Sequence, residues 1–487
     1  MLKKVRFFIL LLLISTGSYS VVYAKFDFFG FYERSDKYSD SFLEAYKKDL
    51  KGASSKDINS ASSVYREAYF LLIDNYIYEV SDDEKEKIAK RSKEALEKSI
   101  EKLKKDNKEI TPQLLMNEVM NTVFNDIDAH TVYMDSKRAD EFRANLSGNH
   151  KGIGILFNFD KVKNMIYVVK VFKDSPSQKS GILNGDYIKS VDGVGINPKE
   201  SLEKVIDSIR GENGTKVKLA IVRGERTFDV EVTRGDYYVP SVESKIIDKD
   251  YAYININSFN QDTASLFRSD INSLQVNKLK GIIIDVRNNP GGLLTAVVII
   301  ADTILSGETI VSIKGRDKTN NQSFVSFNQT QIRDDLPIVI LTNSNSASAS
   351  ELLAGALAIN KRGTLIGDNT FGKWSVQSSF TLKDKSIFNI TTQLFYAPKD
   401  ATFQGDGIAP DIKIIDSNNQ KAFREKDYKN YLKVSDLYKR SPKLKTKDTN
   451  CPLVNDADEK KDYVLGCAIL YLKSNSDLAI FKNKLGL

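Results

Sequence analysis

Histidine is almost missing from this chain: His130 and His150 are the only two in 487 residues. A serine nucleophile most often takes histidine as its base, and neither of these two follows a strand end, so a Ser–His–Asp arrangement is not expected. Cysteine is as scarce. Cys451 and Cys467 both lie near the C-terminus with no histidine beside them, which argues against cysteine catalysis. An excess of one charge is missing too: 71 basic and 64 acidic residues are widely mixed and leave a net charge of +7, too modest to argue for a nucleic-acid partner. Nothing in the sequence asks for a metal or an organic cofactor.

Long apolar runs are absent except at the start. Lys3, Lys4 and Arg6 precede an apolar stretch from Phe7 to Ile14, and Val22-Tyr23-Ala24 offers a small-residue cleavage site, the pattern of a secretory signal peptide over residues 1–24. Export to a periplasm or cell envelope is therefore expected. An uncleaved inner-membrane anchor is the alternative, because Phe7 to Ala24 is 18 residues long, close to the roughly 20 that cross a bilayer; Ser15, Thr16, Gly17, Ser18 and Ser20 weaken it. In an oxidising compartment the isolated Cys451 and Cys467 pair is most simply a disulfide, bracing a tail that carries little core. Two free buried thiols are the alternative.

What is present is small and hydroxylic. Ser348 sits within Asn343-Ser-Asn-Ser-Ala-Ser-Ala-Ser-Glu351, between the apolar run Pro337 to Leu341 and the helical pattern Glu351 to Leu357. A serine at a strand-to-helix turn meets free backbone N–H groups and the positive end of a helix, which favour a developing oxyanion. Its base could be Lys373 in Phe371-Gly-Lys-Trp-Ser-Val-Gln377, if burial keeps the amine neutral. Gln377 could orient that amine. A second run, Gly281 to Arg287, reads as a buried strand and ends in Asn288-Asn-Pro-Gly-Gly292, where glycines let a ligand approach backbone amides. The plainer reading is a Ser/Ala stretch that packs a helix against a sheet, a solvated lysine and an ordinary turn.

Together these segments, with Tyr396-Ala-Pro-Lys-Asp-Ala-Thr-Phe-Gln-Gly-Asp-Gly-Ile-Ala-Pro-Asp411, resemble the carboxyl-terminal processing proteases, tail-specific serine proteases with a Ser/Lys dyad. The resemblance covers about residues 60 to 415. It implies Ser348 as nucleophile, Lys373 as general base, Gln377 as the residue that positions the lysine, and the N–H groups of Gly291 and Ala349 as oxyanion hole. Two positions depart from the family pattern: Trp374 replaces the usual glycine after the lysine, where it could tighten the lysine's pocket or crowd the groove, and Pro398-Lys-Asp400 replaces a Pro-Ser-Gly turn.

The organisation expected is a lead segment (25–59) that is mobile or loosely packed, a helical N-terminal domain (60–150), a PDZ domain (151–237), a core (238–416) and a Cys-bearing C-terminal extension (417–487). Helical periodicity marks Val64 to Val80, Ile88 to Leu103 and Leu114 to Ile127. His130, in Asp128-Ala-His-Thr-Val-Tyr133, reads as structural. From 151 onward, period-2 strands and one helix, Leu202 to Ile209, resemble a PDZ domain. Its carboxylate-binding loop would be Gly152-Ile-Gly-Ile155, with the N–H groups of Ile153, Gly154 and Ile155 taking a substrate's terminal carboxylate. The fold class is α/β: a layered core, crotonase-like by family analogy, with an inserted β-rich PDZ domain and an α-helical N-terminal domain. Expected partners are protein or peptide substrates with accessible C-termini, with room left for a homodimer and for a regulatory or adaptor protein. Other classes remain open: a catalytically silent PDZ scaffold recruiting envelope proteins, and an acyl-thioester enzyme on the same core fold.

Overall fold

The computed structural model describes residues 34–50, 52–160, 162–196, 202–415, 422–455 and 461–487. The segment 1–24, expected to be a signal peptide, lies outside them. Among the described residues no helix is long and apolar enough to cross a membrane.

The core is a seven-stranded sheet in the order Val242–Ile247, Tyr251–Ile256, Gly281–Asp285, Ile338–Thr342, Thr364–Gly367, Ile412–Ile415 and Leu444–Lys447. Only the first pair is antiparallel. Parallel strands need cover on both faces and so run apolar without alternation; Gly281–Asp285 and Ile338–Thr342 are buried at every position. Ile282, Ile284 and Ile340 pack with the helices Thr263–Ser273, Leu294–Ile304 and Ala349–Ile359, while Ile283, Val339 and Leu341 point into a separate cluster on the other face.

That other face is covered by the C-terminal extension, which corrects the expectation of a tail with little core. Helix Tyr463–Leu472 buries Leu465, Cys467, Ala468 and Leu472 against the sheet, and Leu444–Lys447 adds the last strand. Cys451 and Cys467 form a disulfide. Arg287, just past strand Gly281–Asp285, is bonded to Asp285 and, through both terminal nitrogens, to Asp462 at 3.0 and 2.7 Å, tying the extension to the strand end. The disulfide spans 16 positions, and closing a loop of that size is worth about 3 kcal/mol. Replacing both cysteines with alanine should lower the unfolding free energy by about that amount, measured by urea titration. An unchanged value would mean that the helix holds the extension unaided.

The helical domain begins earlier than expected. Lys37–Asp49 and Ser55–Asn75 are helices, so the lead segment is ordered from its thirties onward. Ser39, Phe42, Leu43 and Tyr46 are buried at i, i+3, i+4 and i+7. Phe42, Leu43 and Tyr46 join Asp82–Lys105 and Pro112–Phe124 in a cluster that also takes Phe380, Phe388 and Ile390 from the core's antiparallel strands Ser375–Thr381 and Ile387–Tyr396 and Leu382 from the turn between them. The 151–237 segment forms its own six-stranded sheet around Ile166, Val168, Ile188, Val217 and Ile221, with helix Leu202–Ile209 where the periodicity put it. It is inserted through a two-stranded ribbon, Asn149–Gly152 against Gly235–Tyr238.

Pro398–Asp400, the departure from Pro-Ser-Gly, is a tight turn with Lys399 at φ 63° and Asp400 at φ 56°. Both stand in the left-handed region that glycine adopts most readily, and here they carry side chains.

Candidate active site

The serine segment leaves strand Ile338–Thr342, turns over 343–348 and enters helix Ala349–Ile359. Ser348 stands at φ 53° and ψ −115°, a region that costs a non-glycine residue roughly 1–3 kcal/mol and persists only when neighbours over-determine it. Those neighbours come mostly from the Asn-Asn-Pro-Gly-Gly turn. Asn289 O accepts from Ala347 N at 3.0 Å and from Ser350 Oγ at 2.9 Å, and Val286 O accepts from Ser346 Oγ at 2.8 Å. Gly291, at φ 105°, lies so close that an added Cβ would meet Ser348 Cβ at 2.8 Å and Ala349 N at 2.9 Å. Two segments far apart in sequence are thus zipped together, with the serine half-buried between them.

Lys373 arrives on the loop 368–374. Phe371 N donates to Ser346 O at 2.9 Å. The centre of the arrangement is Glu351, fully buried in the first turn of the serine helix. Its Oε2 accepts from Ser348 N at 2.9 Å and from Lys373 N at 2.8 Å; its Oε1 accepts from Gly372 N at 2.8 Å and Thr370 Oγ1 at 2.5 Å. One carboxylate oxygen therefore holds the backbones of both Ser348 and Lys373. Burial pushes the Glu351 carboxyl up to about 7, against the pull of its donors. Burial lowers the Lys373 amine from 10.5, against the attraction of Glu425, Asp128 and Glu351. The lysine is half-buried, and among the described residues no hydrogen bond joins its Nζ to Ser348 Oγ.

Several expectations change in detail. Gly291 N–H is not open to an oxyanion, because it donates to Asn289 Oδ1 at 2.8 Å. Among the described residues Gly292 N–H and Ala349 N–H carry no partner. Gln377 does not bond Lys373; its amide donates to Ser375 Oγ at 2.9 Å and Thr391 Oγ1 at 3.2 Å. Trp374 turns away from the groove: it is fully buried, with its ring 5.2 Å from Phe403. Glu351 was inside the serine motif but given no role, although Ser348-x-x-Glu351 is the spacing of a capping box.

In the 151–237 unit, Gly154 has φ 76° and Ile153 is buried in that unit's core. Carbonyls of Ile153 and Gly154 accept from Ser177 N and Phe172 N at 2.8 and 3.1 Å, while among the described residues their N–H groups carry no partner. Ile155 opens the strand Ile155–Asp160.

The sequence pattern of "Peptidase family S41" matches residues 250–414, and that of "PDZ domain" matches 153–233. A carboxy-terminal-processing protease of Bartonella bacilliformis is 35% identical over 308 residues, covering 62% of this chain and 70% of that protein. A Staphylococcus haemolyticus protein named "Probable CtpA-like serine protease" is 34% identical over 294 residues; the match takes in 60% of this chain and 58% of its own length. Among solved structures, photosystem II D1 C-terminal processing protease superposes with a TM-score of 0.43 at 22% identity, over 78% of this chain and 93% of that one.

Proposed function

Because this chain belongs to the carboxy-terminal-processing serine proteases of peptidase family S41, we propose that it is an exported endopeptidase that reads a substrate's C-terminus through its PDZ domain and cuts with Ser348 and Lys373. The observation that carries the dyad is the shared Glu351 oxygen beneath both residues. Ser348 Oγ attacks the scissile carbonyl while Lys373, neutral through burial, takes its proton. The oxyanion forms at the helix N-terminus, where Ala349 N–H is free, with Gly292 N–H in place of Gly291 as the second donor. The lysine then protonates the leaving amine and activates the water that releases the acyl group. The free Ile153 and Gly154 amides, with Ile155 beginning the strand along which an extended tail would lie, support capture of a terminal carboxylate. The work is precursor processing or turnover of envelope proteins.

A silent PDZ scaffold is the second reading, favoured by the absent Ser348–Lys373 hydrogen bond. A fluorophosphonate probe separates the two. Covalent labelling mapped by mass spectrometry to Ser348, and lost in Lys373→Ala, is expected; an unlabelled wild-type chain would favour the scaffold. Substrates with a blocked C-terminus should be cut more slowly than free ones, and equal rates would remove the tail-reading step.

A further inference from the structure

The segment 422–440, which follows the core, lies across the loop that carries Lys373. Arg424 donates to Asn369 O at 2.8 Å, to Thr370 O at 2.5 Å and to Asp368 Oδ2 at 3.0 Å. Glu425 N donates to Phe371 O at 3.2 Å. The Glu425 side chain, fully buried, accepts through Oε1 from Gln404 Nε2 at 3.0 Å, and Gln404 Oε1 accepts from Trp374 N at 2.7 Å. Gly405 N donates to Gly372 O at 2.8 Å. Every residue of the loop except Lys373 itself is thus held by Arg424, Glu425 or the Gln404-Gly405 pair that Glu425 engages.

The other oxygen of Glu425 bonds His130 Nε2 at 2.7 Å. His130 sits in the turn of the helical domain whose Asp128 accepts from His130 N and Thr131 N, and Ala129 N donates to Asn430 O at 3.2 Å. The histidine read as structural therefore reaches the lysine loop through one carboxylate.

We propose that Glu425 is a positioning residue for Lys373: its two oxygens and its N–H lock the lysine loop, and His130 links that lock to the helical domain. The inference rests on Lys373 being the base. Charges that face the lysine come from three elements: Glu351 on the serine helix, Asp128 on the helical domain and Glu425 on the crossing segment, all three favouring the charged amine over the neutral one. Removing one of these negative charges stabilises the neutral amine.

The test is kinetics of the full chain on an internally quenched peptide with a free apolar C-terminus, from pH 5 to 10. Glu425→Gln keeps the shape and removes the charge, so the acid limb of kcat/KM should move to lower pH. Glu425→Ala also removes the bonds and should lower plateau kcat about tenfold with KM within about twofold. His130→Ala, at a less buried site, should lower kcat in the same way, and His130→Gln, which restores a donor, should recover it. An acid limb that stays in place in Glu425→Gln overturns the proposal even if the rate falls, since a merely structural role would lower activity without moving it. Wild-type kcat in Glu425→Ala and His130→Ala overturns it as well. Failure of the dyad reading looks different: Lys373→Ala would remain active.

Discussion

Lys373→Ala is expected to lower kcat/KM by about four orders of magnitude while the chain stays folded. In the proposed mechanism the lysine has one chemical task, to accept the Ser348 proton, and no other lysine lies on the loop 368–374. Burial holds its amine below the ordinary lysine value of 10.5. Activity should therefore rise with pH through that lowered value and reach its plateau before a solvated lysine would lose its proton. Lys373→Arg should not rescue, because a guanidinium does not give up its proton at these pH values. Ser348→Ala should be as inactive, and the double variant no worse than either, since the two residues act as a unit. Ser348→Gly adds a check on the strained turn. With no Cβ at φ 53°, the glycine variant should be inactive yet more stable by about 1 kcal/mol, read from its melting temperature. More than a tenth of wild-type activity in Lys373→Ala would overturn the assignment.

The second large effect is expected at Glu351, which touches no substrate. Glutamine keeps one acceptor oxygen and turns an NH2 toward two of the four donors, so either the Ser348 and Lys373 amides or the Thr370 hydroxyl and the Gly372 amide lose their partner. A displacement of that kind costs about a hundredfold in kcat; a loss below threefold would show that the loops hold without the carboxylate. Acid should act on wild type in the same direction. As pH falls through about 7, Glu351 gains a proton and one oxygen stops accepting. Stability runs the other way. A carboxyl raised from 4.5 to about 7 by burial retains its proton in the fold over the range in which the unfolded chain has lost it. Its contribution is thus greatest below pH 4.5 and declines by about 3 kcal/mol as pH rises to 7. Glu351→Gln should flatten that slope in urea titrations across this window.

Where one element holds its own chemistry, the sequence was legible. Gly281 to Val286 and Pro337 to Leu341 read as strands because a parallel strand covered on both faces is apolar throughout. Helix Leu202–Ile209 was found residue for residue. Helix Lys37–Asp49 was not, because one of its four inward positions is Ser39 and the stripe looks broken unless a small polar residue is allowed inside. The extension carries more core than expected: helix Tyr463–Leu472 is short, but it packs across the second face of the sheet. Within the site, the motifs bring Ser348 and Lys373 forward as a pair, and nothing in them marks the Glu351 oxygen that bonds both backbones. The Gly291 N–H is taken up by the side chain of Asn289, two residues away in the same turn, a local competition that spacing cannot decide. His130 and Glu425 are 295 positions apart, and no periodicity links residues at that distance.

The cover supplied by strand Leu444–Lys447 and helix Tyr463–Leu472 also sets an order of events during synthesis. Ser348, Lys373 and Glu351 leave the ribosome before Arg424, Glu425, the last strand and the covering helix exist. A nascent chain ended near residue 415 has Glu351, Gln404 and Gly405 on the lysine loop but neither Arg424 nor Glu425, and Ile283, Val339 and Leu341 lack their covering helix. Ser348, Lys373 and their Glu351 anchor are made first and the cover over the sheet and the lysine loop last, so a truncated chain carries the proposed dyad with one sheet face bare.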